Sequence, residues 1–102
     1  MSKVNLTYIE AFNLSSAMND LMEQKMPGNV AAKLVRIIKP LSTLQTDYNM
    51  CVEKLSSQTE EEITKLNNSV FAEFDTLTES DISSFTLTPI AMLRLQPVIE
   101  QS

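Results

Sequence analysis

Apolar residues recur at alternating four- and three-residue steps through the middle of this chain: Val30, Leu34, Ile37, Leu41, Leu44, Tyr48, Cys51 and Leu55. The run fills every expected position across 26 residues. That period is one stripe of an α-helix, and a one-sided helix must lie against something. Ala31, Ile38 and Val52 widen the stripe, which suits packing in a small globule better than a strict coiled-coil seam. Pro40 falls inside the pattern, where it removes the backbone bond to Arg36 and crowds the turn. Because the apolar register continues past it, the spacing predicts one kinked helix, capped by Asn29 and running to about Ser56; the competing reading is two helices broken at Lys39.

Flanking segments supply what that stripe packs against. Residues 1–6 read as a lead-in. Thr7 and Glu10 have the spacing of a capping box, in which hydroxyl and carboxylate each take a free backbone N–H. The helix they start runs to about Gln24, with Ala11, Leu14, Met18, Leu21 and Met22 on its stripe and Tyr8 and Phe12 beside it. Pro27-Gly28 then breaks the chain. Downstream, Thr59 and Glu62 form a second capping pair, opening a helix that turns Ile63, Leu66 and Val70 inward. Phe71 to Leu77 alternates like a strand, and Phe85-Thr86-Leu87 reads as its hairpin partner. Asp81, among serines, marks a turn or a single helical turn. Thr88-Pro89 starts the last helix, with Ile90, Leu93, Leu95 and Val98 inward and Pro97 bending it. The expected fold class is mostly α (α+β): three to four helices, a long kinked central helix and a small C-terminal β-hairpin. At 102 residues one domain is the natural count. Residues 1–56 form its helical hairpin, and residues 57–102 add a helix, the short hairpin and the C-terminal helix.

The chemistry available is thin. There is no histidine, which removes the commonest general base and metal ligand. The only glycine is Gly28, so no glycine-rich phosphate loop exists. Cys51 is the only cysteine; it sits on the apolar stripe and reads as an inert core thiol in a reducing compartment. These absences point away from an enzyme and from any metal or cofactor. No stretch approaches the roughly 18 apolar residues of a membrane span. The net charge of −5 divides unevenly, +1 over residues 1–52 and −6 over residues 53–102. An acidic chain repels a phosphate backbone, which argues against general nucleic-acid binding.

Surface contacts are what remain. Lys33, Arg36 and Lys39 form a basic cluster on the long helix, suited to an anion or an acidic partner patch. Glu60 and Glu61, in the run that ends at Glu62, suit a helix N-terminus. With Glu73 and Asp75 they form an acidic surface for a basic partner. Glu73, Asp75, Glu79 and Asp81 have a loose cation-site spacing but lack the form of a calcium loop. Met18, Met22, Met26 and Met92 read as core fillers, whereas Val35 and Met50 fall outside the main stripe and hint at an oligomer contact.

Three stretches resemble a family of short, poorly characterised proteins of tailed bacteriophages. They are Leu6-Thr7 with Lys25-Met26-Pro27; Ala31-Ala32-Lys33-Leu34 through Ile37-Ile38-Lys39-Pro40-Leu41; and Asp81-Ile82, Phe85, Leu87-Thr88-Pro89, Leu93 and Pro97-Val98-Ile99-Glu100. The family tends to carry a longer charged loop where this chain has only Ser56-Ser57-Gln58. The resemblance implies a phage product made in the host bacterial cytoplasm, and it brings no activity with it. The expected function is a non-enzymatic interaction protein that binds a host or defence protein, itself self-associating. The alternatives are a virion or assembly accessory protein, and an oligomer sequestering an anionic small ligand.

Overall fold

The structure, a computed structural model, describes residues 3–100. It is mostly helical with a two-stranded antiparallel sheet. Strand β1 is Lys3–Thr7 and strand β2 is Val70–Asp75. The helices are α1 (Tyr8–Met22), α2 (Gly28–Leu41), α3 (Leu44–Lys54), α4 (Glu60–Asn67), α5 (Glu79–Ile82) and α6 (Pro89–Leu95), the last running into a 3-10 turn, Gln96–Val98.

The central helix is present and kinked. Its two segments, α2 and α3, are joined at Ser42 and Thr43, which both keep right-handed backbone angles. The kink follows Pro40, whose missing N–H cannot bond the turn before it. Hydroxyls add to the backbone bonds at the bend: Ser42 Oγ donates to the Lys39 carbonyl at 2.6 Å and Thr43 Oγ1 to that of Pro40 at 3.1 Å, carbonyls that also accept the Ser42 and Thr43 N–H groups. Leu41 and Leu44 are both buried, so the stripe crosses the kink intact. Pro27, not Asn29, occupies the cap position of α2, where its fixed φ suits the helix entry.

The expected hairpin is the main correction. The partner of β2 is β1, the supposed lead-in, and not Phe85-Thr86-Leu87. Lys3, Val4, Asn5 and Leu6 stand opposite Asp75, Phe74, Glu73 and Ala72. Val4 and Leu6 alternate with polar neighbours, so one face of β1 joins Phe74 in the core. Residues 85–87 are irregular. Gln24 serves Thr86 as a strand would: its Nε2 donates to the Thr86 carbonyl and its Oε1 accepts from the Thr86 N–H, both at 2.9 Å. Leu77, expected within the strand, lies beyond β2 and pairs in parallel with Ile99.

A single core cluster draws on α1, α2, β1, β2 and the C-terminal turn. Ala11, Leu14, Ala17, Met18 and Leu21 line it from α1 as the spacing predicts, but Met22 is exposed. Val70, expected inward, is also exposed; it opens β2 opposite Thr7, beside the bulge at Leu6/Thr7. On α6 the buried residues are Ala91 and Leu95, followed by Val98, while Ile90 and Leu93 are 60% and 72% exposed. Both were expected inward. The small Ala91 faces the core instead, and the tighter 3-10 turn carries that face on to Val98.

Burial fades along the second half of the rod. Leu44 is the only buried residue of α3, and α4 has none. An aromatic cluster ties this α3–α4 arm to the body: Tyr48 lies 5.3 Å from Phe12 and 5.7 Å from Tyr8, and Phe71 lies 5.2 Å from Tyr8. Tyr48 also donates a 2.7 Å hydrogen bond to Asn67. The molecule is correspondingly long, 46 × 25 × 22 Å, with a radius of gyration of 14.6 Å where a compact chain of this size has about 13 Å.

Truncating Phe74, which is fully buried in the strand seam, is expected to cost about 3–5 kcal/mol. Ile63→Ala, in the half-covered arm, costs less than half of that. Urea denaturation of the two variants against the parent chain checks the ranking.

Candidate functional site

Capping chemistry positions the most distinctive polar pair. Thr78 and Asp81 form a reciprocal capping box around the single turn of α5: the Asp81 N–H donates to Thr78 Oγ1 at 3.2 Å, and Asp81 Oδ2 accepts from the Thr78 N–H at 3.0 Å. The same oxygen accepts a 2.8 Å bond from Lys33 Nζ on α2. Asp81 is only 5% exposed. Burial alone would raise its pKa; the Lys33 ammonium, the Thr78 N–H and the Thr78 hydroxyl outweigh burial and hold the carboxyl below its ordinary range. The carboxylate is therefore charged at neutral pH, and the pair fastens the 76–88 segment onto α2.

That pairing divides the basic cluster. Lys33 turns toward Asp81, whereas Arg36 and Lys39 remain on the exposed side of α2. The acidic residues are divided as well. Glu60 and Glu61 stand exposed in the first turn of α4, with Glu61 3.7 Å and Glu62 3.8 Å from Lys65. Glu73 and Asp75 share the outer face of the sheet, each 3.8 Å from Lys3. Asp75 and Asp81, grouped by spacing in the sequence, thus answer to different lysines. Among the described residues no three His, Cys, Asp or Glu side chains converge as a metal would require. Val35 and Met50 are both about half exposed, on opposite sides of the kink.

Two depressions border these elements. One of about 430 Å³ lies between α5 and the C-terminal turn, with Ile82, Met92 and Ile99 along it and Glu79 and Glu100 at its edge. Another, of about 270 Å³, is framed by Tyr8, Asp47, Met50, Cys51 and Lys54. Tyr8 Oη and Cys51 Sγ are 3.4 Å apart there. That contact, burial and the neighbouring charges of Cys51 and Asp47 push the Tyr8 hydroxyl up to about 12, so it stays neutral under ordinary conditions.

Only half of the Lys33–Asp81 pair is legible in the sequence. Thr78-x-x-Asp81 is itself a capping-box spacing. Nothing local marks Lys33 as its partner 48 residues away. No family model, curated protein or solved structure matches this chain. No helix among the described residues is long and apolar enough to cross a membrane.

Lys33→Met leaves the Asp81 carboxylate buried without its cation, and is expected to cost about 2–3 kcal/mol, discounted because Lys33 is one-quarter exposed. The pH dependence follows from the lowered pKa. Folded Asp81 binds its proton less readily than the unfolded chain does, so its stabilisation is complete above the ordinary aspartate pKa of about 4 and is lost as pH falls through the lower folded value. The stability difference between the parent and Asp81→Asn is expected to shrink toward zero over that acid range, measured by denaturant titration at successive pH values.

Proposed function

We propose that this chain is a non-enzymatic, phage-encoded interaction protein that works in the host cytoplasm by binding a host or defence protein. The observation that carries this reading is the α3–α4 arm. The chain devotes a capped helix, an aromatic clamp and the Tyr48–Asn67 bond to a segment with almost no buried interior. An element held in place without contributing much to the core is suited to contact something outside it. Glu60, Glu61 and Glu62 crowd the first turn of α4, and half-covered Val52, Leu55 and Ile63 lie along the arm. An acidic edge beside partly open apolar side chains suits a partner surface with a basic rim and an apolar centre. The sequence resemblance to small tailed-phage proteins bears only on the phage-encoded part of this reading.

The sequestering alternative has less support, because Lys33 is engaged by Asp81 and leaves Arg36 and Lys39 to hold any anion. The accessory-protein alternative rests on the exposed Ile90 and Leu93 of α6.

The test is capture of the tagged chain from host cells, washed at increasing salt. One host protein is expected to be enriched and to elute as salt rises, because screening weakens exposed charge contacts. Glu60→Lys with Glu61→Lys is expected to abolish that capture without unfolding the chain. Equal capture by the charge-reversed variant would contradict the acidic-edge reading.

A further inference from the structure

Asp47, Met50, Cys51 and Lys54 fall at i, i+3, i+4 and i+7 of α3, on one stripe, and frame the 270 Å³ depression beside Tyr8. The stripe places an acid toward the helix N-terminus, a base toward the C-terminus, and two soft sulfur side chains between them. Met50 is 53% exposed. Among the described residues neither Asp47 nor Lys54 forms an ion pair within the chain. Leu44 and Tyr48 adjoin this stripe on its Cys51 side and are already committed, Leu44 in the core and Tyr48 in the aromatic cluster, which leaves Met50 and Lys54 on the outward side.

Such a stripe is complementary to itself only when reversed. With a two-fold axis between Met50 and Cys51, Asp47 of each copy stands opposite Lys54 of the other. Met50 of each copy then lies over Cys51 of the other, at the mouth of the depression. A parallel approach would set like charge on like charge. We propose that this face of α3 is a self-association surface, occupied by the same face of a second copy running antiparallel. The contact is isologous, so every favourable pair occurs twice. An 11-residue helix is about 16 Å long. Two of them cover less than the roughly 800 Å² per partner of a standard interface, so the dimer is reversible. This inference does not depend on the host-protein reading, which concerns the acidic edge of α4.

Sedimentation equilibrium of the full chain tests it, with circular dichroism confirming that each variant stays folded. The parent is expected to show a reversible monomer–dimer equilibrium that weakens with salt. Asp47→Lys and Lys54→Asp each turn two attractive contacts into two repulsive ones and are expected to raise the dissociation constant about tenfold or more. The double swap, Asp47→Lys with Lys54→Asp, restores opposite charges across the axis and is expected to recover most of the parent affinity. Met50→Glu is expected to leave a monomer. A parent that stays monomeric at millimolar concentration overturns the proposal. So does a dimer indifferent to the single swaps, or a double swap that fails to rescue: either places the contact elsewhere or assigns this face to a different protein.

Discussion

The pairing of β1 with β2 is the constraint on which the rest of the structure depends. It joins the first residues described to the middle of the chain, Lys3 to Asp75 and Leu6 to Ala72. Closing so long a loop costs chain entropy, and five residue pairs of ladder do little to offset that alone. What makes the closure favourable is the face behind it. Leu6 and Phe74 are each 1% exposed, and both join the cluster formed by α1 and α2. The same strand fixes the start of α1. Thr7 ends β1 and caps the helix, and the Tyr8 N–H donates to the Ser69 carbonyl at 3.1 Å, so sheet and helix share one junction. Tyr8 and Phe71, which hold the arm through Tyr48, stand at that junction.

Two polar clasps extend the closure to the remaining segment. Gln24 holds Thr86 at the end of α1, and Lys33 holds Asp81 against α2. Between them the 76–88 stretch lies on the helical hairpin with one turn of helix of its own. The last residues return to Leu77, whose N–H donates to Val98 and whose carbonyl accepts from Glu100, both at 2.7 Å. The outcome is a well-tied body and a lightly buried arm. A hydrophobic core this thin cannot cover every helix, and α3 and α4 are the ones left partly open.

Local chemistry made much of this legible in the sequence. Thr7 with Glu10, Thr59 before Glu62, and Thr88-Pro89 mark helix starts because each satisfies backbone N–H groups within three residues, and all three stand where expected. The rod and its kink followed from an unbroken apolar register around Pro40. Strand pairing was hidden for the complementary reason. Five residues with two apolar positions are too short to announce a strand, and nothing in Val4 or Leu6 names Phe74 as a neighbour. Phe85-Thr86-Leu87 looked the nearer candidate, but a side-chain amide fills the role that a strand edge would have played. The buried face of α6 does not follow from apolar size, because Ile90 and Leu93 are the larger residues whereas the small Ala91 suits the close contact with α1. Of the candidate site, the outward placement of Met50, Val35 and Glu60 was legible from their positions off the stripe or in a capped first turn. The diversion of Lys33 to Asp81 was not, since it depends on how two distant segments fold together.

Amide hydrogen exchange resolved along the chain tests the strand closure most directly. If β1 and β2 form the seam of the fold, the bonded amides from Val4 to Leu6 and from Ala72 to Phe74 exchange as slowly as those around Leu34 and Ile37, while those of α4 exchange far faster. Strand amides that exchange at the rate of α4, with α2 still protected, would contradict it.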